Sequence, residues 1–265
     1  MEIGIGIFNG IDFFTQAELF KKHGVNRTFV ISEMSEFDRV IENFQENGII
    51  LDTLHAPFNK INDMWSSDNE AAQEMLSRLK DGVDKCARYG IPVLIVHLSS
   101  KTPMPEITDI GVKRFDELFE YAEEKGVKIA LENQRFRENL EYFLDRDEKL
   151  GFCWDTGHEN CFSKGINFME LFGEKLCALH IHDNRCIYNK DDHLLPFDGN
   201  IDFDMVAEYI AKSGYDGTVM LEVGKSVTKD GESVYDGISD EEYVIKAKEC
   251  ANKLLDMINK KKAAL

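Results

Sequence analysis

Short apolar runs alternate with amphipathic stretches from one end of the chain to the other. Most of the runs are continuously apolar, as in "PVLIVHL" at residues 92–98, which is typical of strands covered on both faces. The intervening stretches repeat apolar residues three and four positions apart, as at Phe115, Leu118 and Phe119, which predicts helices. The alternation predicts βα units around a parallel sheet, with strands at residues 2–7, 27–32, 48–54, 92–98, 127–132, 151–155, 177–182 and 217–223.

Five glycines stand between a predicted helix and the strand that follows it. Glycine readily adopts the left-handed conformation that ends many helices, so helix C-caps are predicted at Gly24, Gly48, Gly90, Gly126 and Gly214. These helix-ending glycines recur regularly, and no linker or low-complexity block interrupts the 265 residues. The predicted fold class is therefore α/β, a single (β/α)8 TIM barrel that forms one domain over residues 1–265.

The composition is that of an ordinary soluble protein, with 43% apolar and 30% charged residues. The 31 Lys and Arg against 49 Asp and Glu give a net charge of −18, which repels nucleic acids and anionic membranes. Small substrates are favoured as partners, and neither nucleic acid nor a membrane is expected. The N-terminus lacks a signal-peptide pattern, and six cysteines without a C-x-x-C pair are typical of reduced thiols, so a cytoplasmic location is predicted. The sequence leaves open whether the chain forms a homo-oligomer.

Residues of the types that commonly bind metals follow six consecutive predicted strands. In a barrel of this class, the residues that carry the chemistry lie at the C-terminal ends of the strands. Of the seven histidines, His23 at a helix end stands outside this set, whereas His193 lies in the loop after strand seven. The pattern predicts a functional metal site at this rim. The strand-end residues, in chain order, are His55, His97, Glu132, Asp155, His158, His180, His182, Asp183 and Glu222.

Four of these side chains are expected to meet near the barrel axis. Inward-pointing side chains alternate along a strand, so Glu132, Asp155, His180 and Glu222 can converge from neighbouring strands. Three carboxylates and one imidazole suit Mn²⁺, Mg²⁺ or Co²⁺ and do not exclude Zn²⁺. His182 shares a face of its strand with His180, so the spacing leaves open which of the two binds metal.

The segments "LHAPF", "VHLSS", "LENQ", "FCWDTGHEN", "LHIHDN", "DDHLLPFDGNID" and "LEV" resemble the xylose-isomerase-like TIM-barrel superfamily. This superfamily holds sugar and sugar phosphate isomerases and epimerases, inosose-processing enzymes and the endonuclease IV group. The resemblance spans roughly residues 50–223 and implies that Glu132, Asp155, His180 and Glu222 are the main ligands of one divalent metal. It also implies up to three zinc ions if the chain is endonuclease-like, with the further zinc positions at His55, His97, His158, Asp191 and His193.

The ligand set permits two chemistries. A phosphodiesterase needs a cluster of metals, whereas an isomerase needs one metal and two acid/base groups. A DNA-binding protein should have a basic footprint, but the loops at 59–70 and 189–193 are mixed or acidic, which favours a sugar isomerase or epimerase. The resemblance to ketose epimerases implies that Glu132 and Glu222 are the catalytic pair, one removing a carbon-bound proton and the other returning it. The alternatives are an endonuclease-IV-like zinc phosphodiesterase on abasic DNA and an inosose dehydratase-type lyase.

The remaining polar residues of the rim are predicted to contact substrate or to support the metal ligands. A phosphate on the substrate, if there is one, could meet Arg185 or Lys225, and aromatic residues could stack on a sugar at Phe8, Phe58 or Trp65. A non-catalytic carbohydrate-binding barrel would be expected to have lost ligands, and none of the four is missing. The residues predicted to bind substrate or support the metal are His55, His97, His158, His182, Asp191, His193 and Arg185.

Overall fold

The computed structural model describes residues 1–226, 228–229 and 232–265 of the chain. The strands β2 to β7 lie side by side in sequence order, and β8 pairs in parallel with β1. Each of the eight predicted strands is present within two residues of its predicted bounds, so the (β/α)8 fold class is confirmed. The strands are β1 Glu2–Ile5, β2 Arg27–Ile31, β3 Ile50–His55, β4 Val93–Val96, β5 Lys128–Glu132, β6 Gly151–Asp155, β7 Leu176–His180 and β8 Thr218–Leu221.

Individual hydrogen bonds close the ring where continuous strand pairing stops. Between β1 and β2, the Thr28 hydroxyl donates to the Ile5 carbonyl at 2.7 Å. Between β7 and β8, the Glu222 backbone N–H donates to the Ile181 carbonyl at 3.0 Å. This second bond fixes the backbone of Glu222 beside the end of β7.

Helices surround the sheet and end where the glycine pattern predicts. Gly24, Gly48, Gly90, Gly126 and Gly214 all have φ between 65° and 76°, which confirms the predicted helix ends. In the described part of the chain the helices are α1 Phe13–His23, α2 Phe37–Glu46, α3 Asn69–Tyr89, α4 Asp109–Glu124, α5 Glu138–Leu144, α6 Thr156–Phe162, α7 Phe168–Phe172, α8 Phe203–Ser213 and α9 Asp240–Lys262. Two 3₁₀ turns, Ile61–Trp65 and Gly173–Lys175, and a short antiparallel pair, β9 Thr228–Lys229 with β10 Glu232–Ser233, complete the elements.

The interior of the barrel is filled by a small apolar layer. Ile95, Ala130, Cys153 and Ala178 form a buried cluster that is separate from the large core between the sheet and the helices. Three of these residues lie two positions before Glu132, Asp155 and His180, and side chains two apart share one face of a strand. The same alternation that buries the small residues therefore aims the three polar side chains inward, one layer higher.

All six cysteines lie within the described residues and are free thiols, as expected from the sequence. Within those residues, no helix is long and apolar enough to cross a bilayer. The single domain over residues 1–265 and the cytoplasmic location stay predictions.

Candidate metal centre and active site

Four of the predicted ligands meet at the C-terminal ends of adjoining strands. Glu132, Asp155 and His180 are the last residues of β5, β6 and β7, and Glu222 follows β8 directly. One ligand atom from each of the four lies within 4.8 Å of those from the other three. Glu132, Asp155 and His180 are buried, whereas the Glu222 side chain keeps 19% of its surface exposed. The four side chains could hold one divalent cation, and their role as its ligands stays a prediction.

The imidazole of His180 lies between the two glutamates. Its Nδ1 atom is 2.9 Å from Glu132 Oε1 and 3.0 Å from Glu222 Oε2. The Phe29 ring stacks on the other side of this imidazole at 4.7 Å between centroids and fixes its plane. Nδ1 carries a single proton, and Glu132 Oε1 accepts it, so Glu222 Oε2 is buried without a hydrogen-bond donor of its own among the described residues. A buried carboxylate oxygen in that condition favours a bound cation.

A second group of possible ligands surrounds the other oxygen of Glu132. His97 Nε2 is 2.5 Å and His55 Nε2 is 3.3 Å from Glu132 Oε2. The Nδ1 of His55 lies 2.7 Å from the Ala56 carbonyl, which can only accept, so Nδ1 must carry the proton. A neutral His55 ring then turns the lone pair of Nε2 toward a carboxylate. That arrangement is repulsive unless a proton or a metal ion lies between them.

A third group surrounds the carboxylate of Asp191. Asp191 Oδ2 is 3.1 Å from His158 Nε2 and 3.0 Å from His193 Nε2, and His182 Nε2 is 3.6 Å from Asp191 Oδ1. The Nδ1 of His193 lies 2.8 Å from the Glu222 carbonyl. Burial lowers the pKa of His193, but Asp191 outweighs burial and holds that pKa well above its usual value. The residues implied for further zinc ions are thus brought together. They form two groups on either side of the first.

The segment "FCWDTGHEN" runs from β6 directly into α6, without an intervening loop. Asp155 caps this helix, because its Oδ1 accepts the backbone N–H of His158 at 2.6 Å. The same carboxylate lies 3.1 Å from His182 Nε2. Gly157 is required here, since a Cβ atom would stand 1.8 Å from the His182 ring. His158 therefore reaches the cavity from the first turn of a helix.

Burial and neighbouring charges shift the pKa values of these groups in opposite directions. Burial raises the pKa of Glu132, but His180 and His97 outweigh burial and hold that pKa well below its usual range. The pKa of Asp191 is lowered in the same way, because His193, His182 and His158 outweigh the effect of burial. Burial lowers the pKa of His97 to about 4, so this ring is neutral at neutral pH. Burial also disfavours the charged form of the other rings, but neighbouring acidic groups outweigh it, so the pKa of His158 rises to about 10 and those of His180 and His193 lie well above their usual value. The centre therefore attracts positive charge, and its carboxylates and imidazoles are a donor set that suits a divalent cation.

Two adjoining cavities of roughly 320 and 280 Å³ open above the three groups. His55, Phe58, His193 and Glu222 line both. Phe58 is 47% exposed and lies against the rings of His55 and His97, at 5.5 and 5.0 Å between centroids. The combined space is of the size that a small polar molecule occupies.

Several residues that the sequence pointed to have a different role in the structure. Trp65 is buried in the helix layer, where its indole N–H donates to the Leu98 carbonyl at 2.7 Å. Arg185 pairs with Asp192 beside the centre, and Lys225 pairs with Asp240. Asp183, one of the strand-end residues, accepts backbone N–H groups from Asn184, Phe197, Gly199 and Ile201, so it holds the loop after β7 in place.

Sequence reasoning missed the role of Gln134. Its amide nitrogen lies 3.2 Å from His97 Nε2 and 2.9 Å from His158 Nδ1, so one side chain connects the second and third groups. Gln134 stands two positions after Glu132 in "LENQ", on the same face of the extended chain, and that spacing is the signal that could have found it.

The sequence pattern of the xylose isomerase-like TIM barrel family matches residues 5–250. The chain belongs to this family. An uncharacterized protein of Methanocaldococcus jannaschii is 29% identical over 229 residues, which are 79% of this xylose isomerase-like chain and 72% of that protein.

Two further relatives match part of their own length. An uncharacterized protein of Sinorhizobium fredii is 31% identical over 54% of this chain and 50% of that protein. Probable endonuclease 4 of Citrifermentans bemidjiense is 26% identical over 49% of this chain and 56% of that protein. The chain thus spans about half the length of these two relatives.

Solved structures agree with the fold over almost the whole chain. A D-tagatose 3-epimerase-like protein has a TM-score of 0.74 at 23% identity, with 98% of this chain and 99% of that chain covered. The IolI protein with a bound zinc atom has a TM-score of 0.74 at 20% identity, with 97% and 99% covered. At these identities the likeness shows the xylose isomerase-like fold.

Proposed function

We propose that this protein is a divalent-metal-dependent isomerase or epimerase of a sugar, which moves a carbon-bound proton beside a carbonyl group. One observation carries the proposal. Glu132 at the end of β5 and Glu222 after β8 reach the same His180 nitrogen, at 2.9 and 3.0 Å, below cavities of sugar size. Two carboxylates arranged around one centre are what removal and return of a proton require.

Glu132, Asp155, His180 and Glu222 would hold the cation. Their donor set fits it, and Glu222 Oε2 is buried without a hydrogen-bond partner among the described residues. When bound, a divalent ion supplies a Lewis acid that polarises a carbonyl and stabilises negative charge on its oxygen. A metal of the Mn²⁺, Mg²⁺, Co²⁺ or Zn²⁺ type suits three carboxylates and one imidazole.

The two glutamates differ in access to the substrate. Glu222 lines both cavities, so it is assigned the removal of the proton. Glu132 is buried and its Oε2 lies 2.5 Å from His97 Nε2, which can share a proton with it. Glu132 is therefore assigned the return of the proton, with His97 as its partner. In each turnover Glu132 must take up a proton from solvent before it donates one to the substrate carbon, and Glu222 releases to solvent the proton that it has removed.

The surrounding side chains would orient the sugar. Phe58 offers an exposed ring face, on which the C–H face of a sugar can pack. Burial of His55 and His97 beside this ring excludes water from one side of the cavity. The fold-level likeness to a D-tagatose 3-epimerase-like protein supports the same reaction class.

The test is interconversion of ketoses and aldoses by the metal-loaded protein. We expect turnover of at least one sugar or sugar phosphate with added Mn²⁺, Mg²⁺, Co²⁺ or Zn²⁺, and none after chelation. Glu222→Gln should lose this turnover, whereas Glu138→Gln, an exposed glutamate on α5, should keep it. An inosose dehydratase-type lyase would instead release a dehydrated product. Absence of turnover by a folded, metal-bound protein across the panel would contradict the proposal.

A second candidate is a zinc phosphodiesterase that acts on abasic DNA. The specific observation in its favour is the pair of additional ligand groups, one around Glu132 and one around Asp191. The partial match to a probable endonuclease 4 supports it, while the net charge of −18 disfavours a DNA partner. About three zinc ions per chain together with cleavage of an abasic duplex would select this candidate. One ion per chain without cleavage would select the isomerase.

A further inference from the structure

Two cations that the sequence analysis did not single out line the 280 Å³ cavity above the metal-ligand groups. They are Lys101, in the loop after β4, and Arg135, in the loop after β5. Among the described residues, neither cation has a carboxylate within ion-pair distance. This contrasts with Arg185 and Lys225, which are paired with Asp192 and Asp240. In a chain with a net charge of −18, two uncompensated cations in one cavity favour an anionic ligand there.

Arg135 is held in one orientation. Its guanidinium lies 3.8 Å from the centroid of the Phe162 ring, and its Nε donates to Asn189 Oδ1 at 3.2 Å. Within the described residues its two terminal nitrogens have no hydrogen-bond partner. A planar guanidinium that is fixed by stacking, with free terminal N–H groups, matches the oxygens of a phosphate in a bidentate way.

The loop that carries Lys101 is also fixed. The Ser100 backbone N–H donates to Asn62 Oδ1 at 2.8 Å, and the Asn62 amide donates to the Ser100 carbonyl at 2.7 Å. Lys101 has a φ of 63°, a left-handed conformation that a non-glycine residue adopts at a cost in free energy. Such conformations concentrate at ligand sites.

We propose that the sugar substrate carries a terminal phosphate, and that Arg135 and Lys101 bind this phosphate at the mouth of the cavity. The inference rests on the proposed isomerase or epimerase function. Arg135 and Glu222 both line this cavity. A substrate that lies along it would thus meet Glu222 with one end and Arg135 with the other.

The test compares binding of fructose 6-phosphate and fructose to the metal-loaded full chain by calorimetry. We expect the phosphate ester to bind at least about tenfold more tightly, since charge-assisted hydrogen bonds to phosphate are strong. Arg135→Gln should remove about tenfold of this preference, Lys101→Gln a smaller part, and the double variant nearly all of it. Arg137→Gln is the matched control, because Arg137 is an exposed neighbour that pairs with Glu141. It should leave the preference unchanged.

The outcomes separate this inference from the proposed function. Equal binding of the two sugars, or a phosphate preference that survives in the double variant, would overturn the phosphate site, even if ketose turnover is observed. A preference that the double variant abolishes would support the phosphate site, even if no sugar is turned over. An equal loss in Arg137→Gln would overturn it too, because the effect would then reflect general surface charge.

Discussion

The two ends of the barrel differ in how their charged side chains are paired. At the N-terminal end, Arg27 lies between Glu2 and Asp52, and Asp52 also accepts the Thr218 hydroxyl at 2.6 Å. The guanidinium is thus paired with two carboxylates of the protein itself. At the C-terminal end, carboxylates cluster around imidazoles and raise the pKa values of His158, His180 and His193, although burial opposes this. The first arrangement is complete in the protein alone, whereas the second requires positive charge from outside.

Unsatisfied atoms concentrate at the C-terminal end. Among the described residues, five buried polar side-chain atoms at this rim have no hydrogen-bond partner. Leaving such atoms unpaired costs free energy, which a protein tolerates where a ligand later supplies the partner. The comparison thus assigns stability to one end of the barrel and binding to the other. The five atoms are His97 Nδ1, His180 Nε2, His182 Nδ1, Asp191 Oδ1 and Glu222 Oε2.

The largest expected effect is that of Glu132→Gln. Glu132 contacts His55, His97 and His180, and the amide removes both its charge and its capacity as a base. We expect kcat/KM for sugar interconversion to fall by about 10³-fold or more, since general base and metal contributions are lost together. Glu2→Gln, at the opposite end of the barrel, should keep activity within a factor of about two. Comparable losses of kcat/KM in Glu132→Gln and Glu2→Gln would contradict the assignment of activity to the C-terminal end alone.

Metal removal should have the next largest effect. A cation that binds the folded chain and not the unfolded chain stabilises by about 4 kcal/mol when present at 1,000 times its Kd. Chelation should therefore lower the Tm by on the order of 10 °C, as followed by circular dichroism. An unchanged Tm after complete removal, verified by elemental analysis, would mean that the rim does not need the cation for stability.

At the N-terminal end, Asp52→Ala should destabilise the protein without affecting metal content. The substitution leaves the partly buried Arg27 and Thr218 without one of their acceptors. We expect a loss of about 2–3 kcal/mol in the free energy of unfolding, measured with urea. Asp81→Ala, which breaks an exposed pair with Lys85, should cost about 0.5 kcal/mol or less. A loss of bound metal in Asp52→Ala would show that the ends are coupled.

A smaller effect concerns Glu159, a partly buried carboxyl just outside the barrel wall. Burial raises its pKa to about 7, although Trp154 and Phe168 donate hydrogen bonds to it. The folded state then holds a proton that the unfolded state has released. Stability should therefore fall as the pH rises from about 4.5 to about 7 and be level above that.

Glu159→Gln should remove this contribution. We expect the free energy of unfolding of the variant, relative to the wild type, to rise by about 1–2 kcal/mol between pH 5 and pH 8. Urea unfolding at both pH values measures the change. A difference that does not depend on pH would show that Glu159 is ionised in the folded protein throughout.

Much of the fold could be predicted because its signals are local and periodic. Continuous apolar runs marked the strands, and glycines such as Gly90 marked the helix ends. The metal-ligand groups could be predicted because parallel strands of a barrel end at one rim, which places residues as distant as His55 and Glu222 together. The placement of His180 and His182 in different groups needed the structure. Strand β7 ends at His180, so His182 lies beyond the strand and contacts Asp155 and Asp191 instead.

The loops could not be predicted in the same way. Arg185 and Lys225 were candidates for phosphate binding because they follow strands, but Asp192 and Asp240 reach them through loop conformations that no periodicity encodes. Arg135 lines the cavity through its contact with Phe162, and Lys101 does so because the Asn62 side chain holds the backbone of the neighbouring Ser100. Such contacts depend on three-dimensional placement, so pattern alone did not identify the two cations.

Solvent deuterium uptake tests the central claim most directly. The metal-loaded protein is incubated in deuterated water with ketoses and ketose phosphates, and the hydrogen on the carbon beside the carbonyl is followed by NMR. We predict metal-dependent exchange in the wild type and its loss in both Glu132→Gln and Glu222→Gln. Exchange that persists in either variant, or its absence in a metal-loaded wild type across the panel, would contradict the two-glutamate account.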